Sequence, residues 1–157
     1  MKLIGKISGC AEASEICGYR CCDQDKPTED TVIRTEDYIL MYPGEYNPDD
    51  SRQKHLTPVA SFSGGILARC AKECFDQSQC DPDVNYKPLD CRSYPLMATV
   101  ADDSSLELVK DERCPLTRSQ FGEEHELTVL GAWQEVVSGN PAVIEWLSNL
   151  SLEGYTK

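Results

Sequence analysis

The feature that most constrains this chain is how its nine cysteines are spread. Cys10, Cys17, Cys21 and Cys22 form one group. Cys70, Cys74, Cys80 and Cys91 form a second, with Cys114 after it, and no cysteine lies between Cys22 and Cys70. An odd count cannot pair completely within one chain. Nine in 157 residues also falls short of the density of a small disulfide scaffold. Two thiol groups separated by a long cysteine-free segment can instead converge on one metal site. Such a site closes a large loop, and the metal adds folding free energy that a modest core lacks. A single buried cysteine is also a serviceable small hydrophobe, but that reading does not account for the whole set.

Charge removes other classes of partner. With 27 acidic and 15 basic residues the net charge is −12. Phosphates of nucleic acid or of an anionic membrane would be repelled, and the acidity reads as a solvated surface. No apolar run approaches the length of a membrane span. The segment "ISGC" ahead of Cys10 has the form of a lipoprotein cleavage box. Lys6 interrupts the apolar stretch such a signal requires, so residues 1–8 are read as a short first strand. A cytoplasmic chain is the expectation, and there thiols stay reduced.

The expected fold class is α+β: a small irregular metal-stapled domain with short strands and a hairpin, plus a C-terminal helical pair. Residues 1–157 are expected to form a single domain. Within it, 10–116 is the cysteine-cluster metal-binding region, and 117–157 is a helical tail packed on it. Thr31 and Ile33 suggest a strand. Thr35 as N-cap and acids in the first turn predict a short helix over "EDYILMY", stopped by Pro43 and Gly44. Residues 45–58 read as a polar loop. "VASFSGGILARC" is strand-like, with Gly64 and Gly65 as its turn. "FDQSQCDPDVNYKPLDCRSYP" reads as irregular. "LMATVADDSSLELVK" predicts a hairpin around "ADDSS". Leu127, Leu130, Trp133, Val136 and Val137 are spaced as one face of a helix ending at Gly139. Asn140 and Pro141 then open a second helix with Val143, Ile144, Leu147 and Leu150 on its apolar face.

The stretch "CGYRCC" suits a metal corner. Gly18 allows a sharp bend between Cys17 and Cys21, and Arg20 favours the thiolate form of its neighbours. Arg92 follows Cys91 and Arg113 precedes Cys114 in the same manner. The spacing is not the paired C-x2-C of a zinc ribbon or finger. "RCPL" ends as ferredoxin-type cluster runs end, in cysteine and proline. His55 lies in a polar loop and His125 in an acidic stretch, so both are expected at the surface. Asp23, Asp25, Glu29 and Asp30 lack the spacing of a calcium loop. No nucleophile elbow, P-loop or dinucleotide fingerprint is present.

These residues together resemble a known pattern. "C…CGxxCC", a cysteine after a strand, "YKPLDCRSYP" and a late "CP" are similar in order to the YkgJ-type cysteine-cluster family. That family is described as a zinc- or iron-chelating domain, and flagellin lysine N-methylase carries a related cysteine pattern. The similarity runs from about residue 10 to 116. "YKPLDCRSYP" is its most specific piece: an aromatic, a basic residue and proline, then CR and an aromatic–proline ending. The resemblance implies Cys17, Cys21, Cys22, Cys70, Cys80, Cys91 and Cys114 as metal ligands. Cys10 precedes Cys17 by more than the family's usual two or three residues, and Cys74 has no counterpart, so neither is carried over. The implied cofactor is an iron–sulfur cluster or zinc or iron ions, since thiolates suit all of these. Vicinal cysteines and the "CP" ending lean to the cluster. The implied partner is therefore a metal ion, with no nucleic acid, no membrane and no identified protein.

Three functions follow in order. The first is a metal-binding protein with a redox or accessory role. The second is a metal-dependent enzyme, methyltransferase-like by analogy with the methylase relatives, though no methyl-donor motif is visible. The third is a disulfide-stapled binding protein.

Overall fold

The computed structural model describes residues 38–70, 86–112, 114, 118–150 and 155–156. Both helices and strands are present, so the protein is α+β. Residues Tyr19–Cys91 form one compact unit. Met1–Gly18 with Arg92–Lys157 form the other. The expected strands at 1–8 and around Thr31 and Ile33 lie outside the described residues.

In the first unit the strands are β1 (Ile39–Met41), β2 (Leu56–Phe62) and β3 (Gly65–Cys70). They make a three-stranded antiparallel sheet in the order β1–β3–β2. The helix expected over "EDYILMY" is not formed at its described residues; Ile39–Met41 is strand β1. A helix this short has little stability of its own. Pairing Leu40 with Leu67 and burying Ile39, Leu40 and Met41 outweighs the Thr35 cap signal. Pro43 and Gly44 act as expected, but on a strand. Glu45 N–H donates to the Tyr42 carbonyl over 3.0 Å, and Gly44 has φ 88°. Proline followed by a positive-φ glycine is the signature of a type II turn.

The loop expected over 45–58 contains a 3-10 turn at Ser51–Gln53, and its last residues already belong to β2. The β2–β3 hairpin turns at Ser63–Gly64, one residue before the expected place. Both have positive φ, 47° and 86°. That is the type I′ geometry whose twist matches a two-residue hairpin. β2 is an edge strand, which is why Pro58 is tolerated, and Val59 bulges where the register shifts. The core of this unit is Ile39, Met41, Leu56 and Ala68. Tyr46, Ile66, Tyr86 and Cys91 pack against it.

A short helix, α1 (Leu89–Ser93), carries the chain from the first unit into the second. It replaces the irregular structure expected around "LDCRS". The second unit holds β4 (Leu96–Val100), β5 (Leu106–Asp111), α2 (Arg118–Gly139), α3 (Ala142–Asn149) and β6 (Tyr155–Thr156). The expected hairpin is present as β4–β5, with β6 on its free side. Ala101 N–H donates to the Ser105 carbonyl at 2.8 Å and Ser104 N–H to the Ala101 carbonyl at 2.9 Å, closing the turn.

The C-terminal helical pair is also present. α2 breaks at Gly122, whose φ of 79° is not helical. Its buried stripe is His125, Val129 and Trp133, at i, i+4 and i+8, whereas Leu127 is 64% exposed. The expected face was therefore rotated. α3 begins one residue later than expected, and Asn140 Oδ1 accepts from Ala142 N–H at 3.3 Å. Trp146, absent from the expected apolar face, is buried and stacks on Trp133 with ring centres 6.4 Å apart. Val129, Val143, Leu147, Leu96, Met97, Ala98 and Val109 of the same unit are also buried.

Candidate metal centre

Of the expected ligands, Cys17, Cys21, Cys22 and Cys80 lie outside the described residues, as do Cys10 and Cys74. Cys70 is the last residue of β3 and pairs in register with Leu56. Cys91 sits in the middle of α1, half-buried. It packs against the cluster that contains Leu56. Two expected ligands distant in sequence thus belong to one unit. Cys114 belongs to the other unit and is buried after β5.

The segment that carries Cys91 is held by carboxylates. Glu45 is buried, and its Oε1 accepts from Leu89 N–H at 2.7 Å and from Tyr86 O–H at 2.8 Å. Its Oε2 accepts from Tyr42 N–H at 3.1 Å. A buried carboxylate is tolerated because charge-assisted bonds replace its water. Asp90, next to Cys91, accepts from Leu40 N–H at 2.9 Å, taking an amide of edge strand β1. Tyr86 N–H donates to the Arg52 carbonyl at 2.8 Å, and the Arg52 guanidinium lies 5.9 Å from the Tyr86 ring centre. Gln53 extends the network, donating from Nε2 to the Glu45 carbonyl at 3.0 Å.

Cys114 is fixed by main-chain contacts. Its N–H donates to the Asp111 carbonyl at 3.2 Å. Lys110 Nζ donates to the carbonyls of Asp111 at 3.0 Å and of Cys114 at 2.9 Å.

Both histidines depart from the expected surface positions. His125 is buried on α2, with Nε2 3.4 Å from the Ser93 carbonyl. That carbonyl accepts when the ring proton is on Nε2. Beside it, Trp133 Nε1–H donates to Ser93 Oγ at 2.9 Å. Burial holds the His125 pKa below its ordinary value, because the charged ring loses its water. His55 is half-buried and shifted the same way for the same reason. An acidic segment in sequence therefore need not be an exposed one.

One basic residue escaped the sequence reading. Arg69 precedes Cys70, the same Arg–Cys adjacency seen at Arg20, Arg92 and Arg113. Its guanidinium lies 5.4 Å from the ring centre of buried Tyr38, and Nη2 reaches the Tyr38 hydroxyl at 3.4 Å. "LARC" carried the signal. A depression of about 340 Å³ at the tip of β4–β5, lined by Thr99, Asp102, Asp103 and Glu107 among others, is open and acidic. Ser105 already bonds the Asp103 carboxyl, which holds its pKa low.

Among the described residues, no three His, Cys, Asp or Glu side chains gather as a metal site. The fit to a thiolate-bound metal thus rests on two positions: Cys70, opposite Leu56, and Cys91, on the cluster containing Leu56. If it is bound there, a metal would supply thiolate coordination and, if redox-active, electron exchange. No described helix is long and apolar enough to cross a membrane. No protein-family model, curated protein or solved structure matches the chain. The likeness to the YkgJ-type pattern stands on its motif residues alone.

Proposed function

We propose that this protein binds metal through clustered cysteine thiolates, as an iron–sulfur cluster or as zinc or iron ions, in a redox or accessory role. The proposed ligands are Cys17, Cys21, Cys22, Cys70, Cys80, Cys91 and Cys114, and the metal staples the fold. A reducing, cytoplasmic setting suits such thiolates. The observation that carries the reading is that Cys70 and Cys91, distant in sequence, belong to one compact unit. Cys70 pairs with Leu56, and Cys91 packs on the cluster that Leu56 belongs to. Its support is the spacing of the cysteines and the arginine beside Cys70. The net charge of −12 supports a cation, rather than a phosphate polymer, as the partner.

The test is purification without oxygen, followed by elemental analysis and absorption spectroscopy. We expect bound zinc or iron in whole-number ratio to protein, lost together with folded structure on chelation. Visible sulfur-to-iron absorption selects the cluster; a colourless zinc protein selects the ions. A metal-free chain that folds fully and stays folded in chelator overturns the proposal.

A further inference from the structure

We infer that Glu45 is a positioning residue for the metal centre: its carboxylate sets the place of the Cys91 thiolate. The inference rests on the metal-binding reading above and adds a residue that no cysteine pattern contains. Glu45 stands on the turn after β1, yet three of its bonds reach to different parts of the chain. Oε2 takes the Tyr42 amide of its own turn. Oε1 takes both the Tyr86 hydroxyl and the Leu89 amide. Tyr86 and Leu89 flank Lys87 and Pro88, and Leu89 begins the helix that holds Cys91 two residues on. The two anchors therefore fix where α1 starts and which way it enters. A five-residue helix cannot fix its own direction, because it is too short to be stable alone.

Asp90 adds a second point on the same helix through Leu40 N–H. Glu45 differs from Asp90 in being buried, with each oxygen bonded. The arrangement is that of an outer carboxylate holding a ligand-bearing segment. Loss of such partners commonly weakens metal binding about 10–100-fold.

Cobalt(II) is the probe, titrated into reduced full-length protein against a competing chelator. Its sulfur-to-cobalt absorption reports ligand geometry directly. Glu45→Ala should weaken cobalt binding at least about tenfold and change that absorption. Glu45→Gln keeps an oxygen able to accept from Tyr86 and Leu89 and gives up the Tyr42 bond, so it should stay within about threefold of wild type. Tyr86→Phe removes one donor and should fall between them, and it decides the matter if Glu45→Ala does not fold. A purely structural role would lower the melting temperature of the cobalt-loaded protein without moving its absorption. Wild-type affinity and spectrum in folded Glu45→Ala or Tyr86→Phe overturn the inference alone. Cobalt binding absent from wild type, or unchanged in Cys91→Ser, overturns the metal site at Cys91 and this inference with it.

Discussion

The two compact units solve one problem by different means. Each holds a described cysteine, Cys91 on a short helix in the first and Cys114 after β5 in the second. In the second unit the core is apolar, with the Trp133–Trp146 stack and buried Val129, Val143 and Leu147, and the Cys114 turn is tied by the Lys110 ammonium to main-chain carbonyls. In the first unit the apolar cluster is small, and the Cys91 segment is tied by side-chain carboxylates at Glu45 and Asp90. Apolar packing is strong but non-directional. Charge-assisted bonds fix distance and angle. On the metal-binding function proposed above, a unit that presents a ligand has more use for the second.

The comparison predicts unequal responses to truncation. The largest effect is expected from Trp133→Ala, which removes the centre of the helical core and leaves Ser93 Oγ without its indole donor. Loss of a buried tryptophan costs about 3–5 kcal/mol. Urea unfolding of the protein as purified without oxygen should show this as a lower midpoint at unchanged slope. A cost under about 1 kcal/mol would mean that the stack is not what holds the second unit.

A smaller effect is expected where the clamp is cut. Asp90→Ala leaves Leu40 N–H without its carboxylate acceptor. The loss should be about 1–3 kcal/mol, the usual range for a bond to a charged group or an orphaned buried donor. Asp90→Asn, which keeps an acceptor oxygen, should recover part of it. Hydrogen exchange at Leu40 reads the bond directly: its amide should exchange faster in Asp90→Ala. Unchanged protection there would show that the carboxylate is incidental, and would erase the contrast between the units at that point.

What was legible in the sequence follows from how local each cause is. The β4–β5 hairpin could be read because its turn residues and alternating strands sit side by side. The β2–β3 hairpin was read one residue out, since Ser63 takes the positive φ that glycine usually takes. The helical pair was legible from spacing, but its inward face was not: Leu127 fits the apolar period and is exposed, while polar His125 occupies the buried stripe. β1 was misread because its cap signal is local and its pairing with β3 is not. The cysteine positions were visible as a pattern. Glu45 was not, since its partner Leu89 lies 44 residues away and nothing in "PGEY" announces it.

The smallest predicted effect concerns pH, and it probes a feature the units share. Each contains one histidine whose pKa burial holds below the ordinary value of 6.5: His55 in the first, His125 in the second. Below that value the unfolded chain takes up a proton that the folded chain resists, so folding stability is present above pH 6.5 and lost as pH falls from there through the depressed folded pKa. Each histidine can contribute at most one proton, a slope of about 1.4 kcal/mol per pH unit. His125→Gln keeps a donor for the Ser93 carbonyl and cannot titrate. It should flatten the acid-side loss of stability measured by urea midpoints between pH 7 and 5, to the extent that the second unit sets it, and His55→Gln should do the same for the first. If His125→Gln alone removes the slope, the helical unit governs acid unfolding; if His55→Gln alone does so, the clamped sheet does. A slope that survives both substitutions would place the acid sensitivity in the carboxylates.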